Sequence, residues 1–435
     1  MSPMAEETAF KGERSKKALN ASIEATKFHK NYYEEAKQRA ARGEAVILAN
    51  VGIPMEILHA MDIPVIFNPH WSAVCAAKQV SERYLTALNR RGYFRDLGRY
   101  CSLPLGYFFD DRPEDAPWGG LPRPTAVVMD PMCDPLIKIG DIMSREVNIP
   151  YYVWDRGMIA QPPRKNIWES VDDIEAYSYE EPWRIDFAVR ETEGLIAFAE
   201  AVSGKSLQKD KLREAMDRST EQFEYIEKTM DLAATVPTPM RMGDHMANLI
   251  STQFYRGHKF GLAQAKRLYE EVKERVEQGV SAYENERIRL MYSGVPNWFS
   301  PGFYDSFEEK YGAVFAWMGY LTLVPKSLMR KDASDPVRAA AARYVHYGTE
   351  LQPPWFPRIL VHEAKKFRID GVVYSKVESC RYLSGSLRLA VRALERSGIP
   401  TFEHDADMVD SRDWDDTRVK GKLASFIETL AERRR

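Results

Sequence analysis

Cysteine is scarce in this chain: four residues in 435, at Cys75, Cys101, Cys133 and Cys380. Thiols so few and so widely spread exclude a disulfide-stapled secreted fold. The plain alternative to a site is four small buried apolar side chains. Long apolar runs are missing too, since none reaches the roughly 18–20 residues that a bilayer-spanning helix requires. Residues 1–20 are polar and lack the apolar centre of a signal peptide. Net charge is nearly absent: Lys+Arg 61 against Asp+Glu 63 gives −2, so no field steers the chain to nucleic acid or to a membrane. No GxxxxGK[ST] loop and no GxGxxG after a strand occurs, which excludes ATP hydrolysis and dinucleotide binding by those devices. GxSxG, HExxH, CxxC and ferredoxin spacings are absent as well. The expectation is a soluble, cytoplasmic protein with no nucleic-acid partner.

What is present is the composition of an ordinary globular protein, 44% apolar and 29% charged, with length enough for two domains. Residues 13–42 read as helix, rich in Ala, Glu, Lys and Arg, with Gly43 as a stop. Short apolar runs at Ala45–Ala49, Ile63–Phe67, Thr125–Met129 and Tyr151–Trp154 suit buried parallel strands. Helical patterns follow them at Met55–Met61, Ser72–Asn89 and Leu136–Val147, and Gly106–Pro124 reads as a long loop. Residues 183–285 are dominated by helical patterns at Ile185–Val202, Lys209–Thr235 and His258–Ser281. Strands resume at Ile288–Tyr292, Ala313–Trp317, Gly371–Tyr374 and Thr401–His404. The fold class expected is α/β, two doubly wound parallel-sheet lobes joined by a helical segment. The boundaries are 1–43 for an N-terminal helical segment, 44–182 for the first lobe, 183–285 for the connector and 286–435 for the second lobe.

Cys133 falls four residues after the strand Thr125–Met129, and Cys380 six residues after Gly371–Tyr374, each just before a helix. Ligands of open parallel sheets bind beyond the carboxyl ends of strands, and the helix amide ends there favour thiolates. One such cysteine per lobe allows a shared site in the interdomain cleft. Cys101 lies at the mouth of the expected loop. Cys75 sits within an apolar helical stretch, where core packing is the better reading and a fourth ligand the alternative. Glu56, at the turn after the first strand, either complements a helix amino end or serves as an acid or base at the same crevice. His70 at the end of the second strand is a candidate proton donor or a structural histidine. The six aspartates of Asp405–Asp416 do not meet EF-hand spacing and read as a solvated loop.

Taken in order, several segments resemble the 2-hydroxyacyl-CoA dehydratase and benzoyl-CoA reductase family. They are Gly52–Glu56 (GIPME), Arg91–Leu97 (RGYFRDL) leading to Cys101, Val127–Asp134 (VVMDPMCD) and Asn148–Pro150 (NIP). Then come Arg287–Pro296 (RIRLMYSGVP), Asp370–Cys380 (DGVVYSKVESC) and Thr417–Val419 (TRV). The resemblance covers about residues 40 to 430 and implies a [4Fe–4S] cluster held by Cys101, Cys133 and Cys380. One departure concerns Cys101: many dehydratase subunits place that cysteine directly after the Asp-Leu pair, where Gly98 stands here. The run Tyr100–Phe109 (YCSLPLGYFF) is more similar to the larger cluster-carrying chain of benzoyl-CoA reductase, its B type. The family implies a low-potential radical enzyme acting on an acyl-CoA thioester. In the reductase, that means ring reduction to a cyclohexadiene carboxyl-CoA in anaerobic aromatic degradation; in the dehydratase, loss of a hydroxyl group. It also implies a related cluster-carrying subunit and a separate ATP-hydrolysing activator as electron donor. The rival from another class is a non-catalytic electron-transfer or scaffold subunit.

Overall fold

The computed structural model describes residues 12–157, 182–319, 335–345, 347 and 355–434. The first sheet holds β1 (Ile47–Ala49), β2 (Val65–Phe67), β3 (Ala126–Met129) and β4 (Tyr151–Val153), all parallel, in the order β2-β1-β3-β4. The second holds β5 (Ile288–Ser293), β6 (Ala313–Met318), β7 (Gly371–Lys376) and β8 (Thr401–Asp405), also parallel, in the order β6-β5-β7-β8. The expected α/β class with two parallel sheets is therefore what the chain adopts. Every residue of β1, β2 and β3 is buried, as continuous apolar strands covered on both faces must be. In each sheet the strand order reverses beside the first strand, between β1 and β3 and again between β5 and β7. A crevice opens at such a reversal, because the crossovers leave in opposite directions.

Helices of the first lobe are α1 (Asn20–Ala41), α2 (Met55–Ala60), α3 (Asn68–Ala77), α4 (Ser81–Arg90), α5 (Arg99–Phe108) and α6 (Asp134–Val147). The middle of the chain gives α7 (Pro182–Ser203), α8 (Lys209–Ala233), α9 (Met242–Phe254) and α10 (Lys259–Glu277). The second lobe adds α11 (Glu308–Tyr311), α12 (Pro336–Tyr344), α13 (Trp355–Lys366), α14 (Arg381–Ser384), α15 (Leu387–Arg396) and α16 (Asp416–Arg433). Helices α8 and α10 pack side by side, α1 lies on α9 and α10, and α9 reaches β6 of the second sheet. The expected lobe boundary at residue 182 adjoins residues 158–181, and the N-terminal segment includes 1–11; both stretches lie outside the described residues.

Four local expectations differ from the structure. Helix α1 starts at Asn20, not near residue 13, because tertiary acceptors take the backbone ahead of it. The N–H groups of Ala18 and Leu19 donate to the Asp244 carboxylate at 3.0 and 3.2 Å, and that of Lys16 donates to Asp305 at 3.0 Å. The helix expected over 72–89 is two, α3 and α4, broken at Gln79, whose φ is 60° and whose side-chain amide donates to the Phe299 carbonyl at 2.7 Å. The expected loop at 106–124 loses its first three residues to α5. Gly106 is there for packing and not for a turn, since a Cβ would sit 2.5 Å from the Tyr84 carbonyl oxygen on α4. Finally, the acidic stretch after β8 is not simply solvated: Asp407, Met408, Val409 and Asp410 are buried.

Candidate functional site

The two strand-order reversals face each other, and the cavity between them has a volume of about 120 Å³. Asn50 and Val51 follow β1, Met132 and Cys133 follow β3, Val295 and Trp298 follow β5, and Cys380 follows β7. Cys101 enters from α5, so all three sequence-predicted cysteine ligands line one space. Cys101 itself is helical, in the first turn of α5, which corrects its placement at a loop mouth. Gly98 makes that turn: its φ of +79° swings the chain into α5, and a Cβ there would lie 3.4 Å from Pro135 and 3.7 Å from the Ser379 carbonyl oxygen. Cys133 caps the amino end of α6 in extended conformation. Cys380 holds the same position before α14.

Thiols crowded in an apolar space resist ionisation. A hydrogen bond between Cys101 and Cys133, then burial, then the neighbouring Cys133, Cys380 and Asp130, push the Cys101 thiol well up. Burial pushes Cys380 up to about 11, with the backbone N–H groups of Leu383 and Tyr382 pulling the other way. Any thiolate-seeking metal must displace those protons, so loading the site releases acid. Among the described residues no three His, Cys, Asp or Glu side chains converge as ligands of one ion do. The donor set is instead three thiols from separate elements around an apolar space, which matches a polynuclear centre bound through one thiolate per iron. Cys75 is fully buried in α3, away from that lining, and burial raises its thiol well above the usual range.

Glu56 and His70 do not line the cavity; both lie behind its wall. Glu56, on α2, is 1% exposed. Its oxygens accept the hydroxyls of Ser219 and Tyr344, each at 2.7 Å. Tyr344 in turn accepts from Arg256 Nε at 2.7 Å, and Arg256 Nη1 donates to the Tyr347 hydroxyl at 3.3 Å. Tyr347 donates to Gln253 Oε1 at 2.8 Å, and both of these residues line the cavity. A continuous hydrogen-bonded path thus runs from Glu56 to the cavity wall. Arg256, fully buried, also ties α9 to the turn after β1 through the carbonyls of Val51 and Ile53. His70 is buried against His29, Tyr33, Trp118 and Phe254, with Nδ1 lacking a hydrogen-bond partner among the described residues.

The wall that sequence reading missed is α9, with Leu249, Ile250, Gln253 and Phe254. Its one legible start signal is Asp244, whose carboxylate accepts the Arg241 N–H at 2.9 Å in a capping box. Tyr347 and Trp298 carried no sequence signal at all, because no periodicity marks a residue that closes a cavity from a loop.

Comparison with known proteins bears on this arrangement. Residues 50–430 match the family described as 2-hydroxyglutaryl-CoA dehydratase, D-component. The chain belongs to that family. It is 23% identical to the (R)-2-hydroxyisocaproyl-CoA dehydratase alpha subunit of Clostridioides difficile over 93% of this chain and 94% of that one. It is 24% identical to the (R)-phenyllactyl-CoA dehydratase alpha subunit of Clostridium sporogenes over 94% and 95%. With the B-type subunit of Thauera aromatica benzoyl-CoA reductase it shares 26% over 57% and 60%. The family is one of enzyme subunits, as the resemblance implied, and its model spans both lobes and all three cavity cysteines. No helix among the described residues is long and apolar enough to cross a membrane.

In this family member the histidines behind the wall make stability depend on pH. Burial lowers His70 to about 3, and burial with His70 and Lys17 nearby lowers His29 well below its usual value. Unfolded histidine titrates near about 6.5, so below that pH the unfolded chain binds protons that the folded chain refuses. The stability is complete above about pH 6.5 and falls as pH drops, by about 1.4 kcal/mol per pH unit for each histidine. Urea midpoints are expected to decline from pH 7 to pH 5, and His70→Leu should flatten the decline by one histidine's share. A decline equally steep in that variant would contradict the assignment.

Proposed function

We propose that this chain is a cluster-carrying subunit of an enzyme that drives single electrons into an acyl-CoA thioester. Cys101, Cys133 and Cys380 would hold a [4Fe–4S] cluster in the interlobe cavity. The observation that carries this reading is the arrival of three thiols, from α5 and from the carboxyl ends of β3 and β7, in one apolar cavity. When bound, the cluster supplies low-potential one-electron transfer, with electrons delivered by a separate ATP-hydrolysing activator. The chain's own residues provide the rest. Val51, Leu249, Ile250, Phe254 and Val295 keep the space dry, which protects a substrate radical anion from loose protons. Gln253 and Tyr347 are the polar groups at the cavity end of the Glu56 path; Arg256 donates to both tyrosines and keeps its protons, so Glu56 orients Tyr347 and Gln253 through Tyr344 and Arg256 and touches no substrate. His70, kept neutral by burial, offers an N–H hydrogen bond and no acidic proton, and it holds Phe254 in the wall from behind.

The substrate reading favoured by the run Tyr100–Phe109 and by the likeness to the Thauera benzoyl-CoA reductase chain is an aryl-CoA thioester reduced in its ring. A second reading, dehydration of an (R)-2-hydroxyacyl-CoA, is favoured by the two dehydratase alpha subunits matched over nearly their whole length. Anaerobic assay with the related partner subunit and the activator separates them. Diene formation from benzoyl-CoA supports the first, and enoyl-CoA formation from a 2-hydroxyacyl-CoA supports the second. A scaffold role is distinguished by a structure with bound acyl-CoA, which shows whether this chain's cavity faces the thioester, and Glu56→Gln and His70→Ala variants turning over at the wild-type rate would end the roles given to those two residues.

A further inference from the structure

Three cysteines on two lobes converge only if the lobes stay together, and the residues flanking the cysteines make that junction. Arg99, two residues before Cys101, extends from the first lobe to the turn after β8 in the second. Its Nη1 lies 3.0 Å from Asp410, 3.4 Å from Asp413 and 3.6 Å from Asp407. Asp407 accepts the hydroxyl of Ser379, the residue before Cys380, at 2.6 Å, and its other oxygen accepts the N–H groups of Val409 and Asp410 at 3.0 Å each. Arg412 holds Asp410 from the far side at 2.8 and 2.7 Å. On the opposite flank Arg381, just after Cys380, reaches both oxygens of Asp134, just after Cys133, at 2.8 Å. Each cysteine thus has a sequence neighbour bonded across the lobe interface.

Burial separates the two links. The Arg381 and Asp134 side chains are 71% and 48% exposed, where an ion pair contributes little. Those of Arg99, Asp407 and Asp410 are 11%, 6% and 1% exposed, so breaking that link takes the guanidinium from a buried Asp407 and leaves Asp410 to Arg412 alone. Gly98, at van der Waals range from Ser379, keeps the two lobes in contact at the same place. We propose that Arg99, Asp407 and Ser379 form a latch that closes the cysteine cavity and retains the metal group within it. Arg99 is a positioning residue, acting on Cys101 and Cys380 through the lobe junction. The retention half rests on the cluster reading above; the closure half does not.

Two measurements test it. In the anaerobically reconstituted protein, iron release to a chelator is expected to be about tenfold faster in Arg99→Met, and measurably faster in Ser379→Ala. Arg99→Lys should restore most of the wild-type rate, and Arg145→Met, whose partner Asp141 lies on the same helix, should leave it unchanged. In the metal-free chain, maleimide labelling resolved by mass should speed up at Cys101, Cys133 and Cys380 in Arg99→Met, and stay unchanged at Cys75. Wild-type rates in both measurements overturn the latch. Where Arg99→Met does not fold, Ser379→Ala decides by the same readouts, since it leaves no buried charge unpaired. A wild-type chain that binds no iron refutes the cluster reading, and the labelling arm still decides closure.

Discussion

Reconstituted Cys133→Ala and Cys380→Ala variants are expected to hold less than about one iron per chain, against about four in the wild type, and to show no turnover. Each thiol comes from a different element, so no neighbour can take its place. Cys133 and Cys380 sit where a ligand is fixed by the backbone itself, at the amino ends of α6 and α14 directly beyond β3 and β7. Cys101→Ala is expected to behave the same way, because it lines the same cavity from α5. Cys75→Ala is the informative contrast. Its sulfur is fully buried in α3 and absent from the cavity lining, so iron content should be retained, with only about 1–2 kcal/mol of stability lost to the small void. Iron and sulfide analysis beside urea denaturation reads both outcomes. Full iron in Cys101→Ala together with loss in Cys75→Ala would exchange the two ligands.

Arg256→Met is expected to lower stability by about 3–5 kcal/mol, the range seen when one partner of a buried charged network is removed. The guanidinium is fully buried and meets five acceptors: the hydroxyls of Tyr344 and Tyr347 and the carbonyls of Gln253, Val51 and Ile53. Methionine fills much of the volume and satisfies none of them, and Glu56 is left buried without the Arg256 guanidinium that faces it. Glu56→Gln should cost less, since the Ser219 and Tyr344 hydroxyls can each donate or accept. The double variant should be less destabilised than the sum of the singles, because the stranded carboxylate is gone. Urea unfolding followed by circular dichroism measures all three. A loss below about 1 kcal/mol in Arg256→Met would show the network to be dispensable for folding.

Strand positions were legible from sequence because a buried parallel strand is largely apolar, and all eight expected strands occur; the polar, partly exposed β8 at the sheet edge was legible only from the alternation of strand and helix. The positions of Cys133 and Cys380 were legible for a related reason, since strand end and following helix start are both local. Helix limits were less so. The break at Gln79 and the late start of α1 are set by acceptors far along the chain, the Phe299 carbonyl and the Asp244 and Asp305 carboxylates. Local pattern carries no trace of such partners. The aspartates after β8 misled for the same reason: charge reads as solvated until a buried guanidinium from another lobe is found beside it.

The scarce cysteines were the first feature of the chain, and sequence determined which of them stand at strand ends and which sits in an apolar helix. It also determined two α/β lobes, because strand and helix periodicity depend on neighbours a few residues apart. Tertiary structure alone decided that Cys101, Cys133 and Cys380 share one cavity, and that α9 and Tyr347 wall it. It alone decided that Glu56 stands one hydrogen-bonded path behind that wall, and that Arg99 crosses to the second lobe. These facts depend on how the two sheets face each other, and the packing of whole lobes fixes that, not the preferences of any single segment.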